Sequence, residues 1–159
     1  KGVTITYRRD MRFSKGRMVL PTPMVVAHVL SFIPNGKLLE WRILGRFLAN
    51  SFGAQSCCMM TLGKHLVEIE HARWIGEDGC LTPFWRIVQQ RGLVYPKYEA
   101  GGEQAAWILE TEGHKILSSH RFYYYIEDWK SKCFVPGKLE AERLLRFVNE
   151  GPDFVLLED

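Results

Sequence analysis

The sequence predicts a mainly α-helical fold with a small β wing, arranged as a winged helix-turn-helix. Three successive segments repeat apolar residues at helical spacing, and a β-prone stretch with a bend follows at 81–95. A chain of 159 residues that is 47% hydrophobic and 25% charged is long enough to bury one core. We therefore expect one domain with appended segments.

Caps and turns place the first two helices. Thr22 offers a side-chain cap and Pro23 suits a first helical turn, so helix one is predicted to start there. The Pro-Asn-Gly turn at 34–36 ends it. Helix two follows over 41–48 and closes near 50–53.

The rest of the chain alternates helical and β-prone segments. The predicted elements are, in order, helix three over 58–74, a short hairpin or wing over 81–95, helix four over 103–112, a strand over 122–126 and a last helix over 138–148. Three helices followed by a hairpin give the winged helix-turn-helix, in which one helix can enter a DNA groove.

Charge divides the chain unevenly. The first 17 residues hold six basic side chains against one acidic, a net charge of +5, whereas the whole chain carries +3. A basic N-terminal arm over 1–20 suits contact with phosphates, because their neutralisation releases counterions. The alternative is a solvated leading segment. The domain itself is expected over 21–115, with a C-terminal extension over 116–159 packed on it.

Cysteine usage indicates a reducing compartment. The four cysteines, Cys57, Cys58, Cys80 and Cys133, show neither a CxxC pair nor a framework spacing, and no apolar signal core is present. We expect a cytoplasmic protein with no metal and no cofactor. The apolar segment 23–33 is far shorter than a membrane span, so no membrane partner is expected.

Four short motifs, in order, resemble those of a known family. They are Ile-Pro-Asn-Gly-Lys at 33–37, the helix at 41–48, the segment 83–88 with its Pro, Arg, Ile and Val, and Gly101-Gly102 followed by Glu112-Gly113-His114. Over 21–115 the chain looks like the C-terminal domain of O6-alkylguanine-DNA alkyltransferases, the methylated-DNA-protein-cysteine methyltransferase family, and of their alkyltransferase-like relatives.

The resemblance implies where the family's chemistry would lie. Alkyltransferases carry Pro-Cys-His-Arg, in which the cysteine attacks the alkyl carbon and is activated by the histidine and a downstream glutamate. Here that frame reads Pro83, Phe84, Trp85, Arg86, with Glu112 at the glutamate position. Phe84 has no lone pair and Trp85 only donates. No catalytic residue is therefore predicted, and the chain is not expected to be an enzyme. Glu112 is expected to have a structural partner such as Arg86, and Arg86 alternatively orients a pocket loop by hydrogen bonds to carbonyl groups.

Alkyltransferase-like relatives also lack the cysteine, and they bind alkylated DNA as part of DNA repair. The resemblance thus implies an aromatic pocket that stacks on an extruded base, lined by Pro83, Phe84, Trp85, Arg86 and Glu112. The alternative reading of the two aromatic residues is plain core packing.

Further residues are expected to contact double-stranded DNA, alkylated or not. Trp41 occupies the position of a family Tyr that rotates a phosphate, and Met60 falls near that of an intercalating Arg. Trp41 is also a candidate core residue. The DNA-contacting set is Trp41, Met60, Lys64, Arg8, Arg9 and Arg12.

A second function remains open at the level of sequence. The domain is alternatively a winged-helix interaction module that has lost DNA binding and uses its aromatic pocket for a protein or a small ligand. The apolar stripe of the last helix, at Leu144, Leu145, Phe147 and Val148, is a candidate protein contact of the extension, although intramolecular packing is the default expectation.

Overall fold

Five α-helices and three small sheets make up the described part of the chain, residues 3–8, 16–119 and 123–150 of a computed structural model. The helices are α1 (Pro23–Leu30), α2 (Trp41–Ser51), α3 (Met59–Ala72), α4 (Glu103–Thr111) and α5 (Lys138–Glu150). The strands are β1 (Val3–Arg8), β2 (Gly16–Pro21), β3 (Leu39–Glu40), β4 (Ser56–Cys57), β5 (Ile87–Val88), β6 (Ile116–Ser118) and β7 (Tyr124–Ile126). A mainly α fold with a small β part is confirmed.

The helix starts follow local capping chemistry. Thr22 Oγ1 accepts the Val25 N–H at 3.3 Å, as expected for the cap of α1. Glu40 plays the same part for α2, since its carboxylate accepts the Ile43 N–H at 3.1 Å. Both predicted helices are confirmed.

Helix α3 ends earlier than its sequence pattern indicates. Arg73 adopts a left-handed conformation, with φ at 50°, and its N–H bonds to the Glu70 carbonyl at 3.2 Å. The prediction extended this helix to residue 74, because the stop was assigned to the glycines at 76–79. A left-handed residue other than Gly or Asn leaves no signal of that kind.

The segment before α1 forms a hairpin that the sequence analysis did not predict as strands. β1 pairs antiparallel with β2, from Val3 opposite Pro21 to Arg8 opposite Gly16, and β2 pairs parallel with β4. The Val-Thr-Ile-Thr-Tyr run at 3–7 is rich in β-branched residues and is the signal that the charge analysis overlooked.

The predicted hairpin at 81–95 takes a different form. Phe84–Arg86 is a 3₁₀ turn, and β5 pairs parallel with β3. The return segment makes two antiparallel bridges, Val94 to Val88 and Leu93 to Tyr125 of β7. Adjacent side chains of a strand point to opposite faces. The turn instead allows both Phe84 and Trp85 to be buried.

The segment after residue 115 shares the core of the preceding helices. Leu144 of α5 is fully buried, in one cluster with Leu44 of α2 and Leu66 of α3. Backbone bonds add a second attachment, from Leu38 N–H to the Lys132 carbonyl at 2.9 Å and from Phe134 N–H to the Leu38 carbonyl at 2.6 Å. These contacts hold the extension against the helices.

The predicted strand at 122–126 is present as β7 from Tyr124 to Ile126, paired antiparallel with β6, whereas Tyr123 lies before the strand. Phe122 lies outside the described residues. Within the described ranges, no helix combines the length and apolar composition that crossing a membrane requires.

Candidate functional site

The 3₁₀ turn at Phe84–Arg86 buries two adjacent aromatic residues, Phe84 and Trp85. Phe84 is 0% exposed and Trp85 is 7% exposed. Their rings meet edge to face, with centroids 5.2 Å apart, the arrangement that aromatic pairs prefer. Both side chains therefore belong to the hydrophobic core.

Phe84 lies within a continuous series of rings, which we name the aromatic row: Trp41, Tyr95, Tyr98, Phe84 and Trp85. Neighbouring centroids are 6.1 Å apart for Trp41 and Tyr95, 5.0 Å for Tyr95 and Tyr98, and 5.4 Å for Tyr98 and Phe84. The buried Tyr98 hydroxyl donates to the Phe84 carbonyl at 2.9 Å. This bond fixes the row to the backbone of the 3₁₀ turn.

The aromatic row fills the space that the sequence analysis interpreted as a pocket. Phe84 has no exposed surface, and it lines none of three cavities in the described residues, which lie between α1 and α5, between α2 and α5, and beside α4. Tyr95 and Tyr98, which contribute two rings to this packing, were not among the predicted site residues. Their spacing shows no periodicity, and only their aromatic type could have marked them.

Arg86 and Glu112 form a partly buried ion pair, one of the two roles predicted for Arg86. Arg86 Nη2 donates to Glu112 Oε1 at 2.6 Å and Nε donates to Oε2 at 3.0 Å, while Nη1 donates to the Ile33 carbonyl at 2.7 Å. The side chains are 13% and 8% exposed. The bidentate geometry is the strong form of this interaction, and it ties the 3₁₀ turn to the end of α4 and to the segment after α1.

Trp85 completes this cluster. Its indole N–H donates to Glu112 Oε1 at 2.9 Å. Burial would raise the pKa of Glu112, but hydrogen bonds from Arg86 and Trp85 outweigh it, so the pKa lies below its ordinary value. The carboxylate is thus held ionised between two donors. Neither Phe84 nor Trp85 offers a nucleophile or a base.

His114 is a buried neighbour of this cluster to which the sequence analysis gave no role. It is 7% exposed, and its Nε2 has no hydrogen-bond partner among the described residues. Burial is the largest influence on its pKa and lowers it, with Glu112 acting in the opposite direction. The imidazole is therefore held in its neutral form. No spacing in the sequence distinguishes this buried histidine from an exposed one.

Helix α3 presents two of the predicted DNA-contacting residues to solvent. Met60 is 87% exposed on the first turn, and the Lys64 side chain, one turn further on, is 73% exposed. Lys64 Nζ lies 3.9 Å from a Glu68 carboxylate oxygen, a distance at which an exposed pair contributes little. One face of α3 therefore combines an exposed apolar side chain with an exposed cation.

Trp41 lies at the end of the aromatic row and is only half-buried. Its neighbour Tyr95 packs closely against α3, since a Cβ added to Gly63 would lie 2.5 Å from Tyr95 Oη. The start of α2 is thus connected to the middle of α3 through Trp41, Tyr95 and Gly63.

The basic arm leads towards the start of α3. Arg8 ends β1, while Arg9 and Arg12 lie outside the described residues. The Arg17 N–H donates to Gln55 Oε1 at 2.7 Å, and β4 runs directly into α3. The arm is consequently joined to the segment between α2 and α3.

None of the four cysteines, all of which lie in the described residues, forms a disulfide, and no group of three or more metal-ligating side chains occurs in residues 3–8, 16–119 and 123–150. Fold and site define a mainly α protein with small sheets, whose central polar feature is a buried Trp85–Glu112–Arg86 cluster. No family model, curated protein or solved structure matches the chain.

Proposed function

We propose that this chain is a non-enzymatic DNA-binding protein of alkyltransferase-like type, with the first turns of α3 facing the duplex. The observation that supports this most is Met60, the most exposed of the large apolar side chains in the described residues, at 87%. The resemblance implies an intercalating side chain near this position. An unbranched apolar side chain can serve as such a wedge between base steps.

The surrounding charges support the same orientation. Lys64 is exposed one turn after Met60, and Arg17 is exposed on β2, which pairs with the strand before α3. In this proposal α2 and α3 act as the helix-turn-helix, and the loop after β5 is the small wing. Phosphates contact Lys64 and the arm residues Arg8, Arg9 and Arg12, and such contacts position a protein on the duplex without reading its sequence.

The proposal contains no base pocket and no alkyl transfer. The aromatic row occupies the position at which the resemblance implies an extruded base, and Phe84 has no exposed surface to stack on it. Guanine and O6-methylguanine in the same duplex are therefore expected to bind with equal affinity.

Fluorescence anisotropy with a labelled duplex tests the proposal as salt is raised. Replacing Lys64 with Ala should weaken binding and reduce the slope of log affinity against log salt by about 1, because one phosphate contact is lost. Replacing Arg8, Arg9 and Arg12 together with Ala should reduce this slope by about 3. Met60→Ala should weaken binding without altering the slope.

Lys115→Ala is the matched control, because Lys115 is a cation with 70% exposure whose nearest charge is Glu127 in the extension. It should leave the slope unchanged. If no salt-dependent binding is observed at low ionic strength, the proposal is wrong and the protein- or ligand-binding alternative gains support. A preference for O6-methylguanine that is lost in Phe84→Leu would instead show that the aromatic row opens.

A further inference from the structure

A second region, apart from the aromatic row, has the form of a small-molecule site. It is a cavity of about 500 Å³ between α1, α5 and the loop at 74–82, a volume typical of ligand pockets. The residues that matter for the argument are Met24, His28, Trp74, Glu77, Arg143 and Phe147.

One wall of this cavity is aromatic and apolar. The His28 ring stacks on that of Phe147 with centroids 3.9 Å apart and an interplanar angle of 6°. Met24 and Trp74 line the same cavity. A flat or branched apolar group would lose its hydration against these side chains, which favours its binding.

The cavity wall also carries one cation, Arg143, and two carboxylates, Glu77 and Asp78. Asp78 Oδ1 accepts the Cys80 N–H at 2.9 Å. Glu77 and Arg143 do not lie within ion-pair distance of an opposite charge in the described residues. Arg143 instead lies over the Phe32 ring at 4.7 Å. Both charges act on His28, whose pKa is lowered mainly by burial, so that the imidazole itself is neutral.

The wall contains a further polar group without a partner. Thr82 is 2% exposed, and its Oγ1 forms no hydrogen bond with the described residues. Leaving a buried hydroxyl unpaired is unfavourable. A polar ligand atom, or a water that enters with it, would relieve that cost.

We propose that this cavity binds a small zwitterion with an apolar body, a free amino acid with a large apolar side chain. Its carboxylate pairs with Arg143, its ammonium pairs with Glu77, and its side chain lies against the His28–Phe147 wall. A ligand with one charge would leave either Arg143 or the carboxylates without a partner, whereas a zwitterion pairs with Arg143 and with Glu77. The proposal does not depend on DNA binding.

Isothermal titration calorimetry of the full chain tests this proposal with phenylalanine, methionine and leucine as probes. At least one should bind, and phenethylamine and 3-phenylpropionate, which each retain a single charge of phenylalanine, should bind at least tenfold more weakly than phenylalanine. The proposal fails if none of the amino acids binds at millimolar concentration, or if either analogue matches phenylalanine.

Substitutions at two exposed charged residues of the cavity wall test where the amino acid binds. Arg143→Gln and Glu77→Gln should each weaken binding of the amino acid at least tenfold. Arg146→Gln and Glu142→Gln, at exposed residues of α5 outside the cavity wall, should leave it unchanged. Circular dichroism and thermal unfolding establish that each variant is folded. Wild-type affinity in Arg143→Gln, or equal weakening in the two control variants, would overturn the assignment.

Discussion

At the scale of single residues, Glu112 joins three parts of the chain. It ends α4, and its carboxylate receives hydrogen bonds from both Trp85 and Arg86. Arg86 in turn donates to the Ile33 carbonyl, between α1 and β3. The Glu112 carboxylate therefore holds the 3₁₀ turn in place against the end of α4.

Replacing Glu112 with Gln should destabilise the fold by about 3–5 kcal/mol, because Arg86 would remain buried without its counter-charge. Urea denaturation at pH 7 measures the free energy of unfolding. Glu110→Gln is the control, since Glu110 is exposed on the same helix, and it should change stability by less than about 0.5 kcal/mol.

The difference in free energy of unfolding between the wild type and Glu112→Gln should also depend on pH. The folded pKa of Glu112 lies below the unfolded value, so its stabilisation is present above about pH 4.3 and is lost as pH falls through the lowered folded pKa. The stability difference between wild type and Glu112→Gln should therefore shrink on acidification below that point. A difference that stays constant down to pH 3 would show that ionisation is not its source.

The Arg86–Glu112 pair could be predicted from the sequence, but the role of Trp85 could not. Arg86 and Glu112 carry opposite charges and both lie in motifs that resemble one family, which indicates a pair. The indole N–H reaches the same carboxylate only because Phe84–Arg86 turns as a 3₁₀ helix, and this conformation depends on burial from α4 and Tyr98. Contacts between residues far apart in sequence decide that turn.

At the scale of elements, α1 and α5 meet through His28 and Phe147. Burial lowers the pKa of His28, with Glu77 acting to raise it and Arg143 to lower it further. Protonation of this imidazole is thus less favourable in the folded protein than in the unfolded chain. The contact between the domain and its extension is therefore sensitive to acid.

Stability should fall as pH drops below about 6.5, because the unfolded chain binds the proton that folded His28 resists. In His28→Phe, which keeps a ring opposite Phe147, this part of the slope should be lost, at most about 1.4 kcal/mol per pH unit. Urea denaturation between pH 7.5 and 5 measures it. Phe147→Leu keeps His28 but reduces its burial, so it should lower stability and give a slope between those of the wild type and His28→Phe. An unchanged slope in His28→Phe would contradict the expectation.

Helices were predictable at this scale because their signals are local. The apolar stripe of α2 and the Thr22 cap of α1 are each formed by residues that lie within a few positions of one another in the sequence. β3 and β5, in contrast, are two residues each and pair across nearly fifty positions of sequence, and no periodicity marks such short strands. The hairpin of β1 and β2 had a usable signal in its β-branched residues.

At the scale of the whole molecule, one core connects all five described helices. Val26, Leu44, Leu66, Leu109 and Leu144 are each 0% exposed and belong to one cluster. Unfolding of any helix would expose side chains of the others. We therefore expect the domain and its extension to unfold as a single cooperative unit.

Leu144→Ala should destabilise the whole chain by about 2–5 kcal/mol, the usual range for a cavity at a buried leucine. Far-ultraviolet circular dichroism and tryptophan fluorescence should report coincident urea transitions. The control is Leu139→Ala on the same helix, where the side chain is 64% exposed, and it should alter stability by less than about 0.5 kcal/mol. Separate transitions for the two probes would indicate that the extension unfolds independently.

The aromatic row also influences the intrinsic fluorescence of the protein. The Tyr95 and Tyr98 rings lie 5.0 to 6.1 Å, between centroids, from their neighbours in a series that ends on the indoles of Trp41 and Trp85. Excitation absorbed by either tyrosine should pass to these indoles before it is emitted. Trp85 is shielded from a dissolved quencher such as iodide, whereas Trp107, at 65% exposure, is open to it. Emission that survives quenching therefore reports on the interior, and its change on adding DNA would reveal whether the row moves.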